Sequence, residues 1–175
     1  MRKILSGLYG IFFEDIRMSW FWFLVRLYVG WEWLYAGYEK LVNPAGVWVG
    51  AKSGVAISGF VNGALAKTTG MHPDVTTWYA WFLQHSVAPY ANAWSYAITY
   101  GEMLVGLGLI FGVFTVTAAF FGALMNTNYL LSGTVSSNPI LLLLAIGIMM
   151  AHKVSGHIGL DRYVSRAKHS WAMFR

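Results

Sequence analysis

The chain has 175 residues, of which 57% are hydrophobic and only 11% charged, and 17% are Phe, Trp or Tyr. This bias, far from ordinary globular usage, points to an integral membrane protein, and the length allows a single domain over 1–175. The net charge of +5 forms no basic stripe, so anionic lipid is the expected neighbour and nucleic acid is not; with no Cys, the chain supplies no disulfide, thiolate metal site or thiol nucleophile.

In chain order, Ile4 to Phe13 is too short to span and reads as an amphipathic segment on the inner surface. The first span, about 20–42, is unusual because it holds Arg26, Glu32, Glu39 and Lys40. A charge at bilayer depth costs at least about 2.5 kcal/mol, so such residues normally face a protein interior or a wet cavity. At about 100° per residue, Arg26, Gly30, Trp33, Gly37 and Lys40 fall in one sector and Tyr28, Glu32, Tyr35 and Glu39 in another. The glycine face permits close helix approach, and the Tyr/Glu face reads as polar along its length.

The loop from Asn43 to Ala93 is too long and aromatic for mere connection. Val75, Trp78, Tyr79 and Phe82 repeat at helical spacing behind Pro73 and Asp74, and a weaker pattern runs from Val55 to Leu65. Both predict short interfacial helices over the outer mouth, serving as a structural cap or as a lid.

Three more spans follow, at about 94–114, 116–132 and 139–156. Glu102 has no cation in its own helix and must pair across helices with Arg26 or Lys40, or stay protonated. Gly108 and Gly112 form a small-xxx-small pair, and Val113 to Thr117 leaves room only for a tight hairpin. Asn138 is suited to cap the last helix, with Pro139 in its first turn. Arg2, Lys3 and Arg17 precede the first span, and Arg162, Arg166, Lys168 and Arg175 follow the fourth, which predicts four crossings with both termini cytoplasmic in the cell membrane. The expected architecture is all-α, an integral membrane four-helix bundle with interfacial helices in the long outer loop.

Phe23, Arg26 and Gly30, the run AGYEKL at 36–41 with Asn43-Pro44, then Glu102 and Gly106, and GHIGLD at 156–161 resemble the signatures of the DoxX/DoxD family of small four-helix membrane proteins. For the DoxD branch the resemblance implies the membrane subunit of a thiosulfate:quinone oxidoreductase, which couples thiosulfate oxidation to tetrathionate with quinone reduction beside a second subunit. Relatives often have an Arg after the second span, where this chain reads Phe114-Thr115-Val116-Thr117; the long outer loop leans towards the DoxD branch.

That chemistry assigns roles by residue type. Holding two thiosulfate dianions together requires cations, which makes Arg26 and Lys40, with Glu39 beside them and Lys153 in support, the expected anion pocket. A quinone head wants an aromatic wall, donors and a proton source: Tyr28, Trp33, Tyr35 and Asn126 for the wall and donors, Glu32 and Glu102 for protons, Arg26 as the catalytic cation. His152 and His157, five apart, point about 140° away from each other and cannot clamp one metal ion from a regular helix, while His72 and His85 could ligate with a partner chain. No metal site is expected. The partners are the bilayer, a second redox subunit, a further copy of the chain, and a small anionic sulfur substrate. The alternatives are a noncatalytic anchor for redox partners and a small transporter along the polar face of the first span.

Overall fold

The computed structural model describes residues 2–163. Arg166, Lys168 and Arg175, which entered the orientation argument, lie outside them. The described chain is all-α: α1 (Arg2–Glu14), α2 (Ser19–Leu41), α3 (Val55–Leu65), α4 (Thr77–Phe82), α5 (Ala91–Phe111), α6 (Thr115–Leu131) and α7 (Asn138–Met150).

Four of these helices close a ring, α2 against α5, α5 against α6, α6 against α7 and α7 against α2. The tightest contact follows from glycine. A Cβ on Gly30 would meet Gly106 O at 3.0 Å, one on Gly37 would meet Met103 N at 2.9 Å, and one on Gly106 would meet Leu34 N at 2.5 Å. The glycine face of α2 therefore packs on α5 at backbone distance. Gly112 instead ends α5 with φ +65°, the left-handed conformation that closes a helix C-terminus, and the Val113 N–H returns to Gly108 O at 2.9 Å. The expected Gly108/Gly112 pair is thus one packing glycine, against Ala118, and one turn glycine.

The ring is filled by Trp22, Val29, Trp33, Leu109, Ala119 and Ile148, among others. Its polarity is inverted relative to a water-soluble domain: Arg26, Thr99, Glu102 and Asn126 are buried, whereas Leu24, Leu104, Phe120 and Leu143 are exposed on the outside. No described helix is long and apolar enough to cross a membrane. Helices stand at the four expected spans, the last ending at Met150 where a span to about 156 was expected; α2 carries four charged residues, the first half of α5 is polar, and α6 and α7 have only 17 and 13 residues.

The expected loop helices form with little adjustment. α3 and α4 bury their own small core, with Ile57, Val61, Tyr79 and Leu83 at its centre. After α4 the chain widens into a π turn over 83–87 and tightens into a 3-10 turn over 88–90 containing Pro89, so the helical path runs on into α5. Hydrogen bonds fix this layer to the ring: Tyr79 Oη donates to Asn128 O at 2.9 Å, Lys67 Nζ to Gly133 O at 2.7 Å, and Ser95 Oγ to Trp48 O at 2.6 Å. Burial pushes the Tyr79 hydroxyl up to about 12, so it remains a donor. α1 is held to α2 by Trp22 Nε1 donating to Phe12 O at 2.7 Å. Asn138 does not cap α7; it is the first helical residue, and its Nδ2 donates to Thr134 O at 3.0 Å.

Candidate functional site

Two buried ionic clusters sit at opposite ends of the ring. Arg26 and Lys40 lie on one face of α2, but their 14-residue separation places them about 21 Å apart along the axis. The expected joint anion pocket is therefore not assembled.

At the α5–α6 hairpin, Arg26 is completely buried. Its guanidinium donates to Ile158 O and, at 3.5 Å, to Thr115 Oγ1, and lies 5.5 Å from the Phe23 ring centroid. Gly112 and Gly159 close over it so tightly that a Cβ on either would collide with Nη1. Asp161 faces the same corner and accepts the Phe114 N–H at 2.8 Å and the Thr115 N–H at 2.9 Å, satisfying two free donors at the start of α6. The GHIGLD segment thus clamps the hairpin, with Arg26 as its central tie. Lys153, the supporting cation, pairs instead with Glu14 of α1 at 2.7 Å on the surface.

At the other end, Lys40 Nζ donates to Glu102 Oε2 at 2.6 Å and to Ala36 O at 3.3 Å, and lies 5.1 Å from the Trp48 ring centroid. Tyr129 Oη donates to the second oxygen of Glu102 at 2.6 Å. Glu102 is 1% exposed and Lys40 17%, so the carboxylate is sealed and the ammonium opens outward. The pairing expected for Glu102 is met, with Lys40 and not Arg26 as the partner. These groups line a cleft of about 290 Å³ together with Glu32 and Trp33, roofed by Trp48 and Phe60 of the long loop. Among the described residues Glu32 has no ion-pair partner, and Ser136 at the rim holds φ +41°, a strained conformation for a non-glycine residue.

The remaining expected residues divide. Trp33 stacks on Tyr129 with ring centroids 6.4 Å apart. Asn126 sits one turn before Tyr129 on α6, fully buried, and neither its amide oxygen nor its nitrogen has a partner; the Trp33 indole N–H is likewise unpaired. Tyr28 and Tyr35 are about half exposed on the outer face of α2, so they build no wall around the cleft. Glu39 is exposed too, beside Tyr35, and lines an open groove of about 550 Å³ with Lys40 and Asn43. The sequence reading missed Tyr129, although its position three residues after Asn126 put it on the same polar stripe of α6. Among the described residues no group of three or more His, Asp or Glu converges as a metal site.

The arrangement defines a class: a small all-helical protein with an ionic interior, an apolar exterior and a helical insert roofing one end. The DoxX family model matches residues 21–131, nearly two thirds of the chain, and the chain belongs to the DoxX family. The match runs from α2 to α6 and holds the whole Lys40–Glu102–Tyr129 cluster. The family is generally membrane-associated and often linked to redox proteins. No curated protein and no solved structure matches the chain.

Proposed function

We propose that this protein is the membrane subunit of a quinone-linked oxidoreductase, with thiosulfate or another reduced sulfur species as electron donor and membrane quinone as acceptor. The observation that carries the reading is the buried Tyr129–Glu102–Lys40 chain, two contacts of 2.6 Å leading from the helix interior to an open polar cleft. Joining two thiosulfate ions into tetrathionate forms one S–S bond and releases two electrons; reducing a quinone consumes two electrons and two protons. The chain of Tyr, Glu and Lys suits the proton half of that balance. The cleft sets one cation against Glu102 and Glu32, a poor place to gather two dianions. Oxyanion binding is therefore assigned to a second subunit, and the quinone side to this chain.

The inverted polarity supports a transmembrane placement as a four-helix bundle. At about 1.5 Å per residue, α2 and α5 are roughly 34 and 31 Å long, close to a hydrocarbon thickness of about 30 Å. Arg26 and Glu102 are buried and Lys40 pairs with Glu102, Glu39 is exposed in the last turn of α2, and the lipid would meet Leu24, Leu104, Phe120 and Leu143. Both termini are placed on the cytoplasmic side and the cleft on the outer side.

The test is anaerobic reduction of a soluble quinone analogue by the purified protein with its partner subunit, with and without thiosulfate. Tyr129→Phe and Glu102→Gln should each lower the thiosulfate-dependent rate by about 10-fold or more while Arg26→Lys, if folded, retains it. Full activity in both cleft variants rejects the proton role, and no reduction by folded wild type makes the noncatalytic anchor the better reading.

A further inference from the structure

Behind Tyr129, on the side away from the polar cleft, lies a second chamber of about 380 Å³. Phe60 of α3, Tyr79 and Phe82 of α4, Ile98 of α5 and Asn128 of α6 form its walls, and Tyr129 is common to both cavities. The chamber is within the usual volume range of small-molecule sites, about 300–1,000 Å³. No charged side chain lines it. Its polar groups are few and mostly engaged: the Tyr79 hydroxyl is donated to Asn128, and Asn128 Nδ2 donates one hydrogen to Leu124 O at 2.8 Å, leaving the other free.

The chamber continues into an apolar groove of about 740 Å³ along the contact of α5 and α6. Trp94, Ile98 and Met125 border both spaces, and the groove runs on past Gly101 and Leu104 to Phe111 and Phe114. From Trp94 to Phe111 it follows about 26 Å of α5. The whole is thus a compact head chamber with one long tail groove, opening on the apolar exterior.

We propose that chamber and groove bind a prenylated quinone, the ring in the chamber against Tyr129 and the tail along α5 and α6. The proposal rests on the quinone-linked reading above and gives it a location different from the expected wall of Tyr28, Trp33, Tyr35 and Asn126. Charge selects the occupant. A phospholipid phosphate or a fatty-acid carboxylate at the head of the groove would be buried without a cation. A quinone ring is neutral, fits against Phe60, Tyr79 and Phe82, and offers a carbonyl oxygen to the free Asn128 N–H. Tyr129 then stands between the ring and Glu102. As two electrons from the sulfur donor reach the quinone, a reduced ring oxygen takes the Tyr129 proton, Glu102 and Lys40 return one to Tyr129 from the cleft side, and a second passage completes the quinol.

The experiment measures binding, apart from turnover. Detergent-purified protein is titrated with a decyl-tailed benzoquinone and with its tail-less counterpart, reading quenching of tryptophan fluorescence, with Trp94→Phe to isolate the residue bordering both spaces. Ala97→Phe and Gly101→Leu fill the groove from a different face of α5 than the one that carries Glu102, a Cβ on Gly101 facing Met125 Sδ at 3.8 Å, and Leu24→Phe on the outer face of α2 is the control. The expected result is loss of most quenching in Trp94→Phe and about tenfold weaker binding of the tailed quinone in both groove variants, unchanged in Leu24→Phe, with the tail-less quinone little affected. Full-affinity binding in the groove-filled variants overturns the location and leaves the quinone-linked function standing. Quenching by brominated phospholipid that the groove variants abolish and quinone does not displace assigns the groove to lipid. No binding of either quinone by folded wild type overturns both readings.

Discussion

The two ends of α2 carry the same kind of residue, a buried cation, under opposite arrangements. At the hairpin end Arg26 spends its hydrogen bonds on a backbone carbonyl and a hydroxyl, and Asp161 spends its own on two backbone N–H groups. At the roofed end Lys40, Glu102 and Tyr129 bond side chain to side chain and face a cleft. A charge consumed by backbone fixes the chain, whereas a charge held by other titratable side chains next to open space can exchange protons. Between the two ends lie Val29, Leu109 and Ala119, all completely buried, so the polar interior of α2 is interrupted by an apolar layer. A continuous ion path along the first helix, the transporter alternative, gains no support from that layer.

The strongest way to break the comparison is Arg26→Ala. Removing the guanidinium leaves Ile158 O without its partner and a void under Gly112 and Gly159. The loss should be about 3 kcal/mol or more, a marked fall in the unfolding midpoint. Thermal unfolding in detergent is the measure, and an unchanged midpoint would show that Arg26 is not the tie of the hairpin.

The next effect separates the roofed end. Lys40→Met alone should cost about 3 kcal/mol, because Glu102 stays buried with Tyr129 as its remaining donor. Lys40→Met with Glu102→Gln should cost clearly less than the sum of the single changes, since the pair is then neutral. Additive losses in a double-mutant cycle would mean that the 2.6 Å contact is not an energetic couple.

These assignments mark what could be read from the residues. The inward face of α2 was legible because a 3.6-residue period puts Gly30, Trp33 and Gly37 together whatever packs on them. The α3 boundaries were legible for the same reason. What periodicity cannot carry is the partner of a side chain: Arg26 meets groups 89 and 132 residues away in sequence, and Lys40 meets Glu102 62 residues away. Arg26 and Lys40 were therefore joined by chemistry although helix rise keeps them apart. The stripe of Tyr28, Glu32, Tyr35 and Glu39 was read as one functional face because it is polar; only Glu32 turns into the cleft, and the exposed Tyr and Glu lie outside it. Asp161 showed as part of a short motif, but its capping role depends on a hairpin 46 residues earlier.

The smallest expected effect sharpens the hairpin side of the comparison, because it separates strain from attraction. Phe114 holds φ +50° and ψ +42°, a left-handed conformation that costs an ordinary residue about 1–2 kcal/mol, and its ring is 65% exposed. It persists because Asp161 holds the N–H groups of Phe114 and Thr115 from the other side. Phe114→Gly keeps both donors, removes the Cβ clash and places a tolerated residue at the start of α6. Against this stands the greater freedom of glycine in the unfolded chain, about 0.4–1 kcal/mol. The net expectation is a gain of up to about 1 kcal/mol, a midpoint rise of a few degrees, with the Lys40–Glu102 coupling unchanged. A fall in the midpoint would instead mean that the exposed ring contributes more by contact than its backbone costs, and that the clamp at this end works without stored strain.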